Sequence, residues 1–198
     1  MEHQYTIGSI YLILAMISIY SYDKKKLSPE KDQRAKQNKS VTSFKYFYRF
    51  SQLVCLSTIA MFFMASPTPL QGTWSQEPTF LYLGAAFSIL GVLIFVGAKM
   101  ELGNDNYSHC SNMFLPKDII RTGLYKYIRH PIYTANLVMI LGLFISSGNY
   151  LVLATWLVMG LYYNHSARIE EQCLEHAFTE YKDYKKSTGR FLPWRELA

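Results

Sequence analysis

The sequence predicts an all-α integral membrane protein with about five transmembrane helices, a C-terminal helical hairpin and a cytoplasmic amphipathic helix. Apolar runs of near-membrane length alternate with short, strongly basic segments. Half of the residues are therefore hydrophobic, while the mean hydropathy is only +0.03. The 198 residues suffice for one domain, and we expect a single membrane domain with three N-terminal spans in residues 1–98.

Three apolar segments in the first half of the chain predict those spans. Tyr5–Tyr22 is an uncharged run of 18 residues that no small-residue cleavage site follows. It also lacks a basic segment ahead of it, so we interpret it as a first transmembrane helix and not as a signal peptide. Phe44–Ala65 and Thr79–Ala98 are the second and third predicted spans, and Asp23–Ser43 between the first two is a polar loop.

Two further apolar segments predict a helical hairpin. Residues 132–146 and 150–163 flank a turn of Ser, Gly and Asn at 147–149. Each half has about 15 residues, whereas a full span needs about 20. A hairpin that crosses the bilayer twice and a re-entrant pair both fit. We favour the crossing hairpin, because its first helix can include part of 123–131 and its second can continue past His165.

The basic residues indicate the orientation. Of the 20 Lys and Arg residues, 9 lie in 23–49, 5 in 99–131 and 6 in 168–198. With five spans these three regions share one side of the membrane, which the positive-inside rule assigns to the cytoplasm. The predicted protein is thus multi-pass, with its N-terminus outside and its C-terminus inside. A three-span, re-entrant arrangement satisfies the same charge bias.

The segment after the last span is amphipathic. Leu174, Ala177, Phe178 and Tyr181 recur with helical spacing and form an apolar stripe. We predict one helix that continues from the last span and stops near Gly189.

Several classes of site are excluded. The three cysteines show no CxxC pair and no ligand spacing with the histidines, which argues against a metal site or a disulfide framework. The chain contains no glycine-rich phosphate loop. We expect no metal and no nucleic-acid partner.

Ionisable side chains are concentrated at the two ends of the predicted hairpin. Residues 123–133 read GLYKYIRHPIY, and residues 168–171 read RIEE. Charged groups at a membrane boundary are costly to desolvate, so their default interpretation is a functional site, although basic and aromatic residues also serve as interfacial anchors. Pro131 suits the first position of a helix, whose free N–H groups attract an anion. Carboxylates at 170 and 171 would accept bonds from hydroxyl or ammonium groups, so a zwitterionic cofactor with a ribose and a positive centre would suit the site.

These residues resemble the superfamily of isoprenylcysteine carboxyl methyltransferases and phospholipid N-methyltransferases. The resemblance covers about residues 102–193, from a Leu-Gly pair at 102–103 to a Y-x-x-Y…R-x-x-P tail. The matching residues are Gly123, Tyr125, Arg129, His130, Pro131, Tyr133, Glu170, Glu171, Tyr181, Tyr184, Arg190 and Pro193.

The resemblance implies an integral membrane enzyme that binds S-adenosyl-L-methionine on the cytoplasmic side, with the catalytic, cofactor-binding core in residues 99–198. Arg129, Arg168 and Glu171 are the catalytic candidates. The cofactor contacts carried over by position are Lys117, Ile119, Ile120, Tyr125, His130, Pro131, Ile132, Tyr133 and Glu170.

One departure from the family concerns the acceptor. In the carboxyl methyltransferases a substrate-binding arginine precedes the first Glu by four residues, and here that position is Ser166. Arg168 lies two residues further on, roughly 200° around a helix, so it does not simply inherit the role. The expected acceptor is a lipophilic small molecule or lipidated substrate in contact with membrane lipids, with a carboxylate, thiol or lipid amine as nucleophile. An NADPH-dependent sterol-type reductase and a non-catalytic scaffold are the alternatives.

Overall fold

The computed structural model describes residues 2–23, 39–64, 70–106 and 118–193, and this part of the chain is helical with no strand. The all-α prediction is therefore confirmed for the described residues. Its helices are α1 (Glu2–Asp23), α2 (Lys39–Met64), α3 (Pro78–Asn106), α4 (Pro131–Ser147), α5 (Tyr150–Ala177) and α6 (Tyr181–Ser187), with 3-10 turns at Thr73–Gln76 and Gly123–Lys126.

Several helix ends differ from their predicted positions. α2 begins at Lys39, five residues before the predicted Phe44, and most of the predicted polar loop before it lies outside the described residues. α3 is broken at Gly103, where φ is 65° and ψ is −178°. α4 begins at Pro131 and does not extend back into residues 123–130, because that segment forms a 3-10 turn and then pairs its backbone with a distant part of the chain.

Length and composition single out one described helix as able to cross a membrane, namely the Pro78–Gly103 part of α3. Arg49–Met64 and Pro131–Ser147 are apolar but shorter. Large apolar side chains are nevertheless exposed on α1, α2 and α5 as well, for example Met16, Leu53 and Leu161. The count of five spans stays a prediction.

The chain divides into two compact units, and the first comprises Met1–Val92 and Leu137–Met159. Its packing depends on glycine: a Cβ added at Gly84 would overlap the backbone of Gly142 and the side chain of Ser146. Small residues allow such close helix contact where hydrophobic driving force is weak. The Tyr11 and Ser146 hydroxyls bond at 2.8 Å, and Ser146 Oγ donates to the Leu81 carbonyl at 2.7 Å, so the hydroxyls buried among these helices are paired.

The predicted hairpin turn also lies in this first unit. α4 ends at Ser147, Gly148 has a φ of 62°, and α5 begins at Tyr150. The turn is held by the preceding loop: Gly72 N–H donates to Gly148 O at 2.9 Å and Tyr150 N–H donates to Leu70 O at 3.0 Å. As predicted, α5 continues past His165.

The second unit comprises Leu93–Asn136 and Gly160–Ala198. The tail in it is not the single helix that we predicted, since α5 ends at Ala177 and a turn precedes α6. The break allows Tyr181 and Tyr184 to be buried while Ala177 stays exposed. The predicted apolar stripe is therefore divided between the end of α5, which carries Leu174 and Ala177, the turn, which carries Phe178, and the start of α6, which carries Tyr181.

Glu101 fixes the 3-10 turn that carries Tyr125. The Glu101 carboxylate accepts a hydrogen bond from Leu124 N–H at 2.9 Å, and Tyr184 Oη donates to Tyr125 O at 2.5 Å. Gly123 in this turn has a φ of 51°, and a Cβ there would overlap the Glu101 carboxylate. Only glycine satisfies both conditions at this position.

Replacing Gly123 by alanine should therefore lower the free energy of unfolding by about 2–4 kcal/mol, from the left-handed backbone and the overlap together. Denaturant unfolding in detergent measures the change. Gly97→Ala is the matched control, because Gly97 is helical and its Cβ would meet Leu124 at an ordinary 3.4 Å. Equal losses in the two variants would contradict the role given to the Glu101 contact.

Candidate active site

The start of α4 is held by a strap that consists of residues 188–191. Arg129 N–H donates to Gly189 O at 2.9 Å, and His130 N–H donates to Arg190 O at 3.1 Å. Thr134 Oγ1 then donates to the Phe191 carbonyl at 2.8 Å. Because Pro131 disfavours a helical His130, the segment before α4 is free to pair in this extended way. The strap thus fixes the backbone on which Arg129 and His130 stand.

One carboxylate, that of Glu171 on α5, gathers the cationic groups of the site. Its Oε1 accepts from Arg129 Nε at 3.0 Å and from His130 Nε2 at 3.2 Å. Arg190 binds it with two nitrogens, Nε to Oε1 at 3.1 Å and Nη2 to Oε2 at 2.9 Å, and Lys185 Nζ lies 3.6 Å from Oε2. The Glu171 side chain is 1% exposed and that of Arg129 is fully buried. Buried charges are tolerated when they are paired and hydrogen-bonded in this way.

Electrostatics keep Glu171 ionised. Burial by itself would raise the pKa of its carboxyl, but hydrogen bonds from His130 and Arg190 and the nearby charges of His130 and Arg129 outweigh burial and lower that pKa well below its usual range. Arg129 is occupied further, because its Nη1 donates to Lys185 O at 2.9 Å and to Thr188 O. These contacts tie helix α5, the segment before α4 and the strap into one arrangement.

Glu170 lies beside a stack of aromatic rings. Its Oε2 accepts from Tyr133 Oη at 3.2 Å and lies 3.5 Å from His130 Nδ1. The His130 and Tyr133 rings stack at 5.4 Å, and Tyr133 stacks on Tyr163 at 4.7 Å. His130 therefore bridges the two neighbouring carboxylates, and Glu170 keeps the more exposed position, at 19% against 1%.

The structure brings Arg129, His130, Tyr133, Glu170 and Glu171 together, whereas Arg168 is exposed on another face of α5. Ser166, at the position of the family's substrate arginine, is buried. Lys117 lies outside the described residues. The other predicted contacts are a buried Tyr125 in the 3-10 turn, a buried Pro131 and half-buried Ile132 in the first turn of α4, and half-buried Ile119 and Ile120 before the 3-10 turn.

Arg190 and Lys185 were missed as members of this cluster. Arg190 also donates from Nη1 to Asn164 Oδ1 at 3.1 Å, which adds a second bond to α5. The signal that could have found it is its place in the R-x-x-P tail, 19 residues beyond Glu171, where an arginine can bind a carboxylate with both arms of its guanidinium.

Comparison with known proteins identifies the family. The model of the phospholipid methyltransferase family matches residues 79–181, which is more than half of the chain. The cobalt-zinc-cadmium resistance protein CzcN of Cupriavidus metallidurans is 36% identical over 76 residues, which are 38% of this chain and 35% of that protein. The alignment thus spans about a third of the length of the curated relative. No solved structure matches the chain significantly.

The family match includes the segment before α4, both arms of the hairpin and the Glu-Glu pair. It agrees with the superfamily that the sequence motifs indicated and favours a methyltransferase over the reductase alternative. This chain belongs to the phospholipid methyltransferase family.

Proposed function

We propose that the protein transfers a methyl group from S-adenosyl-L-methionine to a lipophilic acceptor held in the membrane, at the cytoplasmic face. The observation that carries the proposal is the cluster of Glu170, His130 and Tyr133 at the start of α4, in a chain of this family. The nucleophile on the acceptor would be a carboxylate, a thiol or a lipid amine.

The residues present fit this cofactor. The Tyr125 hydroxyl is buried and has no hydrogen-bond partner among the described residues, so a ligand oxygen could accept from it. Glu170 offers carboxylate oxygens to hydroxyl or ammonium groups, and the stacked rings of His130, Tyr133 and Tyr163 offer faces that attract a positive centre. When bound, S-adenosyl-L-methionine would supply an electrophilic methyl group on a sulfonium.

The chain's contribution to such a reaction is positioning and exclusion of water. Glu171 and the strap hold His130 in one orientation, and Tyr133 holds Glu170 from the other side. Groups fixed in advance lose little entropy on binding and need no reorganisation. In this proposal Glu171 and Arg129 position the neighbouring residues and do not themselves contact the cofactor.

A lipophilic acceptor is supported by the surface of the helices. Large apolar side chains are exposed on α1, α2, α3 and α5, which suits a protein in contact with lipid. The buried Ser166 and the exposed Arg168 leave no arginine at the place where the carboxyl methyltransferases bind their substrate carboxylate. This argues against an isoprenylcysteine carboxylate and leaves methyl transfer itself unaffected.

Thermal shifts of the purified protein test the proposal directly. S-adenosylhomocysteine should raise the melting temperature, increasingly so at higher ligand concentration, since a ligand of the folded state stabilises it by mass action. NADPH should have no effect. A higher melting temperature with NADPH and no rise with S-adenosylhomocysteine would favour the reductase alternative. An unchanged melting temperature with both ligands would favour a scaffold.

We also propose the five-span topology, with all three basic regions in the cytoplasm. In a variant without native cysteines, a cysteine at the exposed Glu77 should react with a membrane-impermeant reagent from outside intact cells. One at the exposed Lys182 should react only after permeabilisation. Reaction of both from the same side, or the reverse pattern, would contradict the topology.

A further inference from the structure

Two tyrosine hydroxyls of the second unit are buried with no hydrogen-bond partner in the part of the chain that the structure describes. Tyr181 is 2% exposed and Tyr125 is 7% exposed, and within the described ranges neither hydroxyl makes a hydrogen bond. A buried hydroxyl without a partner is costly, and native proteins rarely leave one without a reason. Each hydroxyl therefore calls for an acceptor that the described chain does not supply.

The neighbouring tyrosines show that this is not a general property of the site. Tyr184 Oη donates to Tyr125 O at 2.5 Å, and Tyr133 Oη donates to Glu170 at 3.2 Å. Tyr163 Oη accepts from Asn136 Nδ2 at 3.2 Å. The protein itself supplies a hydrogen-bond partner to these three phenols of the second unit, whereas the described residues supply none to the hydroxyls of Tyr125 and Tyr181.

Both phenols belong to the unit that contains Glu170, and Tyr181 lies one helical turn before Lys185, whose Nζ is 3.6 Å from Glu171 Oε2. Tyr184 contacts each of them, through its ring to Tyr181 at 5.6 Å between centroids and through its hydroxyl to the Tyr125 backbone. Burial raises the pKa of both phenols far above the ordinary value. The Glu170 carboxylate adds to this for Tyr125, and Glu171 followed by Glu170 adds to it for Tyr181. Each hydroxyl consequently keeps its proton at neutral pH and can donate a hydrogen bond to an oxygen or nitrogen acceptor.

We infer that Tyr181 is a ligand-binding residue that, together with Tyr125, donates hydrogen bonds to oxygen atoms of the cofactor held by Glu170. This rests on the proposed function and adds to it a residue from α6, outside the set carried over from the family. The acceptor oxygen is either a ribose hydroxyl or the carboxylate of the amino-acid part, since both accept a bond from a phenol.

The variant Tyr181→Phe separates this role from a structural one. Without ligand, the variant should be as stable as the wild-type protein or slightly more stable, because the lost hydroxyl had no partner. Its affinity for S-adenosylhomocysteine, measured by calorimetry, should fall about three- to tenfold, as expected for the loss of one neutral hydrogen bond. Tyr184→Phe is the control: it removes a bond within the protein and should lower the stability of the ligand-free form.

A second ligand identifies the acceptor oxygen. Methylthioadenosine keeps the ribose and lacks the amino-acid part. A loss of affinity in Tyr181→Phe for both ligands assigns the ribose, and a loss for S-adenosylhomocysteine alone assigns the carboxylate.

Three outcomes overturn parts of the account separately. If the wild-type protein does not bind S-adenosylhomocysteine, the proposed function fails. If the wild-type protein binds it and Tyr181→Phe binds it equally well, only the inference about Tyr181 fails. A ligand-free Tyr181→Phe as destabilised as Tyr184→Phe, with unchanged affinity, would mean that the hydroxyl bonds an ordered water and serves the fold.

Discussion

Replacing Glu171 by glutamine should destabilise the protein by about 3–5 kcal/mol, because the change leaves a fully buried Arg129 without its counter-charge. Arg190 would lose its bidentate partner and His130 one of its two carboxylates at the same time. Denaturant unfolding in detergent gives the loss. Glu175→Gln is the control on the same helix: Glu175 is partly exposed and contacts Lys185 at 2.8 Å, so its loss should cost about 1 kcal/mol or less.

The pH dependence provides a second readout of the same carboxylate. The folded protein lowers the pKa of Glu171, whereas an unfolded glutamate titrates near its ordinary value of about 4.3. The stabilisation is therefore complete above that value and is lost as the pH falls toward the folded pKa. Glu171→Gln should lose this part of the acid dependence of stability. A variant that is as stable as Glu175→Gln, with an unchanged acid profile, would show that the cluster is not held by Glu171.

Replacing Glu170 by glutamine should instead weaken cofactor binding and leave the fold intact. Glu170 is the more exposed of the two carboxylates, and Gln can still accept the bond from Tyr133. A charge-assisted hydrogen bond is worth about 1.5–3 kcal/mol, so affinity for S-adenosylhomocysteine should fall roughly ten- to a hundredfold. Calorimetry measures this, and unfolding should stay within about 1 kcal/mol of the wild-type value.

Together, the variants at 170 and 171 test whether Glu170 binds the cofactor while Glu171 stabilises the fold. Glu175→Gln should bind the ligand as the wild-type protein does, which controls for charge removal on α5. Unchanged affinity in Glu170→Gln would mean that this carboxylate is an interfacial anchor and that the cofactor lies elsewhere.

The parts of the fold that local chemistry determines could be predicted from the sequence. Pro131 at the first position of α4, the Gly148 turn and the extension of α5 beyond His165 follow from rules about proline, glycine and apolar periodicity. The same rules place His130 ahead of a helix start, and the motif resemblance pairs that region with Glu170 and Glu171.

The remaining features depend on contacts between distant parts of the chain. The strap pairs Gly189 with Ile128, 61 residues away, and nothing near either residue signals an extended pairing in a chain whose described elements are helices. The break between α5 and α6 could not be predicted either. The apolar residues up to Tyr181 have the spacing of one continuous helix, although they belong to two helices. Arg129 illustrates the consequence: the family resemblance made it a catalytic candidate, whereas its described bonds go to Glu171 and two backbone carbonyls.

The most direct test of the central claim is methyl transfer in the membrane. Membranes that contain the wild-type protein or Glu170→Gln are incubated with methyl-labelled S-adenosyl-L-methionine and a total lipid extract of the source cells, and the label is counted in the organic phase. We predict label in lipophilic material with the wild-type protein and a large reduction with Glu170→Gln. Equal label in membranes with and without the wild-type protein would contradict it.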